Sequence, residues 1–370
     1  MNNFREKDIV LLLGAGCSKD AGIPTSGDMI EDLERMFDLP GEWKTYKALY
    51  NFLKSSILFA DGLRGSFSPD SLNIERLMNT INELVKKEEH PIYPFIGAWN
   101  SKIIELCGND FDSLKKFKTL IMEKLKSWVT LGDYNEAGYY NKFGGLSQAL
   151  TFPVSIFSLN YDLCLEKNVI GVDINVERGF DSNDRKWKWQ RFDRTDESNV
   201  NIYLYKMHGS IDWARGDDGF LTYYDEILRI EEPDLIFGTN YKLQYIDPYL
   251  FFAYEFRRYC LGTRLIVTLG YGFGDEHING MMRQALKSDT ERVLLSVIYN
   301  PSKNETELME EIVKRMGLKE GELSPGQIAV RNVTAKDFIL NEMQPDDLGR
   351  FLPSPHDPFN EGGFAAGELH

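Results

Sequence analysis

The feature that most constrains this chain is a set of short, unbroken apolar runs rich in β-branched residues, each bounded by turn formers. They are "DIVLLLGAG" (8–16), "VSIFSLNYD" (154–162), "IYLYKMHGS" (202–210), "DLIFGTN" (234–240), "RLIVTLGYGF" (264–273) and "ERVLLSVIYN" (291–300). A strand with one wet face alternates apolar and polar residues, so continuous apolar character marks strands covered on both faces, as in a parallel sheet. Helical patterns lie between several of the runs: "DPYLFFAYEFRRYC" (247–260), "DEHINGMMRQALK" (275–287) and "NETELMEEIVKRMG" (304–317), the last opened by a Ser/Asn cap and closed by Gly317. This alternation predicts an α/β fold: a Rossmann-like parallel sheet of about six strands with helices on both faces.

Residues 28 to about 150 break the rhythm. "DMIEDLERMFD", "WKTYKALYNFLKSSILFA", "SLNIERLMNTINELVKKEE" and "DSLKKFKTLIMEKLKSWVT" place apolar residues three and four apart and contain no convincing strand. The expected organisation is a sheet domain from 1–30 and 151–344, an all-helical subdomain inserted at 31–150, and a tail at 345–370. The tail gathers Pro, Gly and acids without periodicity and reads as extended or disordered.

Charge and cysteine usage exclude several classes. A formal net charge of -15 opposes direct binding to a phosphate backbone, whose affinity comes largely from Lys and Arg displacing counterions. Two basic patches stand out, "RRYC" (257–260) with Lys206 and "DRKWKWQRFDR" (184–194); the second interleaves Trp187 and Trp189 with cations, and a solvated hairpin or oligomer contact is the better reading than base stacking. Cys17, Cys107, Cys164 and Cys260 are far apart and form no CxxC, which argues against a zinc ribbon and for reduced thiols in a cytoplasm. The polar N-terminus is no signal peptide, and no apolar run is long enough to span a membrane.

The chemistry gathers at the run ends. Gly14-Ala15-Gly16 lets the chain turn sharply and brings amides at a helix start toward a phosphate. The dinucleotide fingerprint requires a third glycine where Lys19 stands, and a second strand soon after, so an ordinary dehydrogenase does not fit. Gly22, Ile23 and Pro24, followed by Thr25 and Ser26, cannot continue a helix and form a loop placed to fold over a dinucleotide. Ligands of open parallel sheets sit beyond the carboxyl ends of the strands, so Asn160 and Asp162, then His208, Gly209 and Ser210, then Gly270, Tyr271, Gly272, Asp275 and Asn279 should converge there. Plainer roles stay open: close packing for the glycines, a strand-end turn for Asn160, and an N-cap of "LCLEKN" for Asp162. Cys17 suits space filling in the loop, and His277 a surface position in the first turn behind an Asp275 cap.

Taken in order, GAGxSxxAGIP, the Asn-Tyr-Asp at a strand end, His-Gly-Ser and the "GYGFGDEHIN" segment resemble the sirtuin-type fold, and more specifically the sirtuin-like NADases of bacterial antiphage defence. The likeness covers roughly 8–30 and 152–300. Where deacylating sirtuins carry a four-cysteine zinc ribbon and an Asp-Phe-Arg after Gly-Ile-Pro, this chain has no CxxC and continues Thr25-Ser26-Gly27.

The resemblance implies hydrolysis of the nicotinamide–ribose bond of NAD to nicotinamide and ADP-ribose, depleting NAD as a defence effector. It implies His208 as base, Asn160 holding a water or ribose hydroxyl, and Asp162 on the nicotinamide amide. Gly14, Ala15, Gly16, Ser18 and Ser210 would line the phosphates and adenosine ribose, with Gly270 and Tyr271 on the adenosine side. NAD is then a substrate, with no prosthetic group and no zinc, and the implied partners are further copies of the chain and a HerA-type ring ATPase. The alternatives are a sensor that binds NAD or ADP-ribose without cleaving it and, less favoured, a protein deacylase.

Overall fold

A computed structural model describes residues 4–65, 72–86, 101–108, 111–169, 174–193, 199–237 and 246–352. The strands are β1 (Ile9–Leu13), β2 (Val154–Ser158), β3 (Val176–Glu177), β4 (Ile202–Lys206), β5 (Trp213–Arg215), β6 (Leu221–Tyr223), β7 (Leu265–Leu269), β8 (Val293–Val297) and β9 (Ile328–Arg331). Seven form one sheet in the order β3-β4-β2-β1-β7-β8-β9, every neighbouring pair parallel, and β5 and β6 form a small antiparallel hairpin. From β1 the chain steps outward through β2 and β4 on one side and through β7, β8 and β9 on the other. The switch of direction therefore falls between β1 and β7, where open parallel sheets leave a crevice for ligands.

The unbroken apolar runs have the predicted cause. Leu11, Leu13, Ile156, Leu204, Val267 and Leu295 join one buried cluster, while their neighbours Val10, Leu12, Phe157, Tyr205, Ile266 and Leu294 join another. Both faces are covered, so both sets of alternating side chains must be apolar.

The first face packs against the helices between β1 and β2: α1 (Gly16–Lys19), α2 (Ser26–Met36), α3 (Lys47–Leu63), α4 (Ile74–Val85), α5 (Ser101–Cys107), α6 (Asp112–Trp128) and α7 (Lys142–Leu150). No strand occurs among the described residues of this stretch. After the one-turn α8 (Cys164–Asn168), the second face is covered by α9 (Tyr249–Gly262), α10 (Glu276–Ser288) and α11 (Glu305–Arg315). The cap predicted for α11 is a capping box between Asn304 and Glu307, and Gly317 ends the segment at φ +65. The chain then runs into α12 (Ala335–Asn341) and α13 (Pro345–Gly349).

Three expectations need correction. Residues 234–237 add no sheet strand, making only an isolated bridge from Leu235 to Gly209, and 238–240 lie outside the described residues. Two sheet strands were not foreseen: β3 is two residues long, and β9 is an edge strand in which only Val330 is buried. Neither carries the apolar run that betrays a covered strand. The third correction concerns the expected tail, whose first residues form α13, with Leu348 wholly buried in the first cluster. Residues 353–370 lie outside the described residues.

Candidate active site

The exits of β1 and β7 meet backbone to backbone. Gly14 N–H donates to Leu269 O at 2.9 Å and Gly16 N–H to Gly270 O at 2.9 Å, extending the strand pairing past the strands. A Cβ on Gly14 would lie 2.6 Å from the Tyr271 Cα, and one on Gly270, which sits at φ +63, would lie 2.2 Å from the Cys17 nitrogen. These glycines are required by mutual approach of two loops, the packing role that the sequence left open, and the Gly14 and Gly16 amides are already used. Ala15 and Gly16 are half-buried, Gly22 is exposed at φ +97, Ile23 is buried and Pro24 half-buried. Thr25 and Ser26 do not continue the loop. Thr25 caps α2 in a capping box with Asp28, and Ser26 opens that helix.

The exits of β2 and β4 carry side chains instead. The last registered pair is Ser158 with Lys206, so Asn160 and His208 stand two residues beyond it on adjacent strands. Asn160 Nδ2 donates to Gly14 O at 3.0 Å and to Ser18 Oγ at 3.2 Å. Ser18 gives its single hydroxyl proton to Asp162 Oδ2 at 2.8 Å and therefore accepts from the Tyr140 hydroxyl at 2.7 Å. The other oxygen of Asp162 accepts Cys164 N–H at 2.9 Å, close to the capping role considered for it. Asn160, Asp162 and Ser18 are all buried. Their network borders a cavity of about 10 Å³, also lined by Tyr140, Glu166 and Lys206, which is space for about one water.

Beneath this network runs a line of buried charge. Lys206 Nζ donates to the Asp162 backbone oxygen and stands 3.3 Å from Glu166. Glu166 is 3.9 Å from Arg178, whose Nη2 is 2.6 Å from Asp212. Burial opposes the Arg178 charge, yet Asp212 and Glu166 hold its pKa above the ordinary arginine value. Cys17 is the reverse case: burial, reinforced by Asp162 and Asp20 against a hydrogen bond from Tyr140, pushes its thiol up to about 12. No thiolate forms there near neutrality, in keeping with space filling.

His208 is buried, with its ring centroid 6.5 Å from that of Tyr161 and its carbonyl accepting Ile236 N–H at 2.9 Å. Its Nε2 lies 3.3 Å from Asp275 Oδ2. Asp275 caps α10 with its other oxygen, as expected, accepting from His277 and Ile278, and half-buried His277 occupies the first turn. Tyr271 hydroxyl donates to Asn279 Oδ1 at 2.9 Å, and Asn279 Nδ2 reaches Phe273 O at 3.0 Å, so the "GYGFGDEHIN" segment is bound to itself. Ser210 is fully buried at the same edge, its hydroxyl without a hydrogen-bond partner among the described residues.

Most of the basic stretch is engaged within the fold. Trp187 is buried against Phe251 and Phe252, while Lys186, Lys188, Arg185 and Arg191 each pair with a carboxylate. Trp189 is half exposed, and Arg194 lies outside the described residues. Sequence reasoning missed Tyr139 and Tyr140, which reach from the helical region to the Gly14 loop, Tyr139 donating to Cys17 O at 2.5 Å. It missed the buried Glu166 and Asp212 and the half-buried Arg178 as well, and it took Lys206, which is buried, for part of a basic patch. A lysine ending an apolar run, as Lys206 does, was the one available signal.

Among the described residues no group of three or more His, Cys, Asp or Glu could hold a metal ion, and no helix is long and apolar enough to cross a membrane. Cys17, Cys107, Cys164 and Cys260 are all buried.

Comparison with known proteins places a family likeness on this edge. The model of the SIR2-like domain family matches residues 154–319, a stretch that holds Asn160, Asp162, His208, Ser210, Gly270 and Tyr271 but not the Gly14 loop. No curated protein matches the chain significantly. Among solved structures, a mutant Sir2 homologue in complex with 2′-O-acetyl ADP ribose is 12% identical, with 93% of this chain and 91% of that chain covered and a TM-score of 0.40. A Sir2 homologue–NAD complex is 13% identical, with 93% and 88% covered and a TM-score of 0.41. Likeness at that level carries no argument about ligand or activity.

Proposed function

We infer that the protein is an NAD glycohydrolase that cleaves the nicotinamide–ribose bond to give nicotinamide and ADP-ribose. The observation that carries this reading is the pairing of Asn160 and His208, both buried, at equivalent positions past adjacent strands within the SIR2-like stretch. Departure of nicotinamide leaves an oxocarbenium-like ribose, which calls for an oriented nucleophile and a base working near neutrality. His208 is that base and Asn160 orients the water or a ribose hydroxyl. Asp162, Ser18, Ser210 and the Gly14, Gly22–Pro24 and Gly270–Tyr271 loops shape the rest of the NAD site.

In this arrangement both amide hydrogens of Asn160 go to Gly14 and Ser18, and Asp162 accepts from Ser18 and Cys164, closing the site, so NAD entry exchanges the contacts that Ser18 makes here. A restrained site suits a toxic hydrolase that depletes NAD in antiphage defence. The trigger belongs to self-assembly or to a partner, for which the resemblance suggests a HerA-type ATPase. The same closure favours one alternative, a module that senses NAD or ADP-ribose without cleaving it.

The deciding assay is nicotinamide release from NAD by the full chain, alone and with the partner ATPase, beside His208→Ala. Release abolished by the substitution supports the hydrolase. Calorimetric binding of NAD with no release in either condition supports the sensor.

A further inference from the structure

The surroundings of His208 distinguish its two ring nitrogens. Nε2 faces the Asp275 carboxylate at 3.3 Å, and an ionised carboxylate accepts protons but offers none. Nδ1 is buried and has no hydrogen-bond partner among the described residues. The ring has little freedom to exchange the two, because His208 is 3% exposed, its carbonyl is bound by Ile236, and Tyr161 lies beside it. Asp275 is fixed in turn: its second oxygen caps α10, and its backbone N–H lies 3.3 Å from the Tyr271 hydroxyl, which is also bound to Asn279.

We propose that Asp275 is a positioning residue that holds neutral His208 as the tautomer protonated on Nε2, leaving Nδ1 as the proton-accepting atom. The carboxylate reaches His208 from the exit of β7, across the positions of β1 and β2, so it ties the two halves of the sheet edge together. This rests on the glycohydrolase reading for its chemical meaning. There, the attacking water gives its oxygen to the ribose carbon and a proton to Nδ1. The electron pair of the breaking carbon–nitrogen bond leaves with nicotinamide, which departs neutral because the pyridinium was cationic. The proton on Nδ1 then passes to solvent.

Asp275→Asn separates this role from capping, since Asn caps helices as well as Asp. With the side-chain oxygen kept on the α10 amides, the amide NH₂ faces Nε2, where a donor opposes a donor and favours the tautomer protonated on Nδ1.

The test is two-bond ¹H–¹⁵N correlation on the ¹⁵N-histidine-labelled full chain, at a pH where the His208 ring is neutral, its signals assigned by their loss in His208→Gln. The expected result is protonation on Nε2 in the wild type and on Nδ1 in Asp275→Asn. Protonation on Nδ1 in the wild type, or the same tautomer in both proteins, overturns the proposal. In the nicotinamide assay kcat should fall about 100-fold or more in Asp275→Asn with KM little changed, and an unchanged kcat also overturns it. A wild-type chain with no turnover under any condition counts against the glycohydrolase reading, while the spectra alone still decide the role of Asp275.

Discussion

The two halves of the sheet's carboxyl edge solve different problems with different residues. On the β1–β7 side Gly14, Gly16 and Gly270 bring two loops into backbone contact. On the β2–β4 side Asn160, Asp162, Lys206, His208 and Ser210 project side chains into a closed, buried polar region. One half is defined by what no side chain can occupy, the other by which side chains are present. A glycine-rich strand exit is therefore not by itself a phosphate cradle. Its first duty here is to let β1 and β7 exit together, and that contact positions Ser18 against Asn160 and Asp162.

The largest effect should come from breaking the glycine half. Gly270→Ala combines a left-handed backbone with a Cβ 2.2 Å from the Cys17 nitrogen. Strain and overpacking together should cost about 3 to 5 kcal/mol, read as a lower urea midpoint. An unchanged midpoint would show that the two loops separate freely.

Next is the charge beneath the polar half. Lys206→Met leaves buried Glu166 with only the longer 3.9 Å contact to Arg178, and breaking the closer pair should cost about 3 kcal/mol or more. Adding Glu166→Leu should recover most of the loss, because Arg178 keeps Asp212. A double variant no more stable than the single one would mean that the Lys206 bond to the Asp162 backbone matters more than the ion pair.

Smaller in stability, but decisive in function, is Asn160→Ala. Losing its bonds to Gly14 and Ser18 should cost about 1 to 2 kcal/mol and abolish nicotinamide release. Loss of stability with full turnover would reduce Asn160 to the strand-end turn residue that the sequence also allowed.

The smallest effect lies at the start of α2. Burial pushes the Asp28 carboxyl up, but the Thr25 amide and hydroxyl and the Lys19 ammonium outweigh it, so its pKa is below the ordinary value. A lowered folded pKa contributes stability that is present above the unfolded value near 3.8 and disappears as pH falls through the folded one. Asp28→Asn should therefore narrow the stability difference between pH 6 and pH 3, measured by thermal unfolding. An identical difference would assign the acid sensitivity elsewhere.

Much of this was legible in the residue order. Five of the six apolar runs contain sheet strands, and the helical stretch after the first strand forms helices where the three- and four-residue steps placed them. The strands β3 and β9 escaped because one is too short, and the other too exposed, to carry a continuous apolar signal. The tail misled for a related reason: a single turn anchored by Leu348 leaves no periodicity to read. At the site, Asn160, Asp162 and His208 could be named because strand ends in a parallel sheet share one edge. Lys206 ends one of those strands and was open to the same logic, whereas Tyr140, which comes from the helical region, was not.

What the sequence determined by itself was therefore local in origin. Unbroken apolar runs require strands covered on two faces, caps and glycines end the helices, and parallel strands bring their exits together. The tertiary structure alone decided which exits touch and which groups are saturated. Ser18 meets Tyr140 across 122 residues of chain and Asn160 meets Gly14 across 146, contacts that no local pattern encodes. Bonds of that span exist only once packing has closed the loops between them, which is why the residue types announced a candidate site while the fold alone set its hydrogen bonds and left His208 Nδ1 without a partner among the described residues.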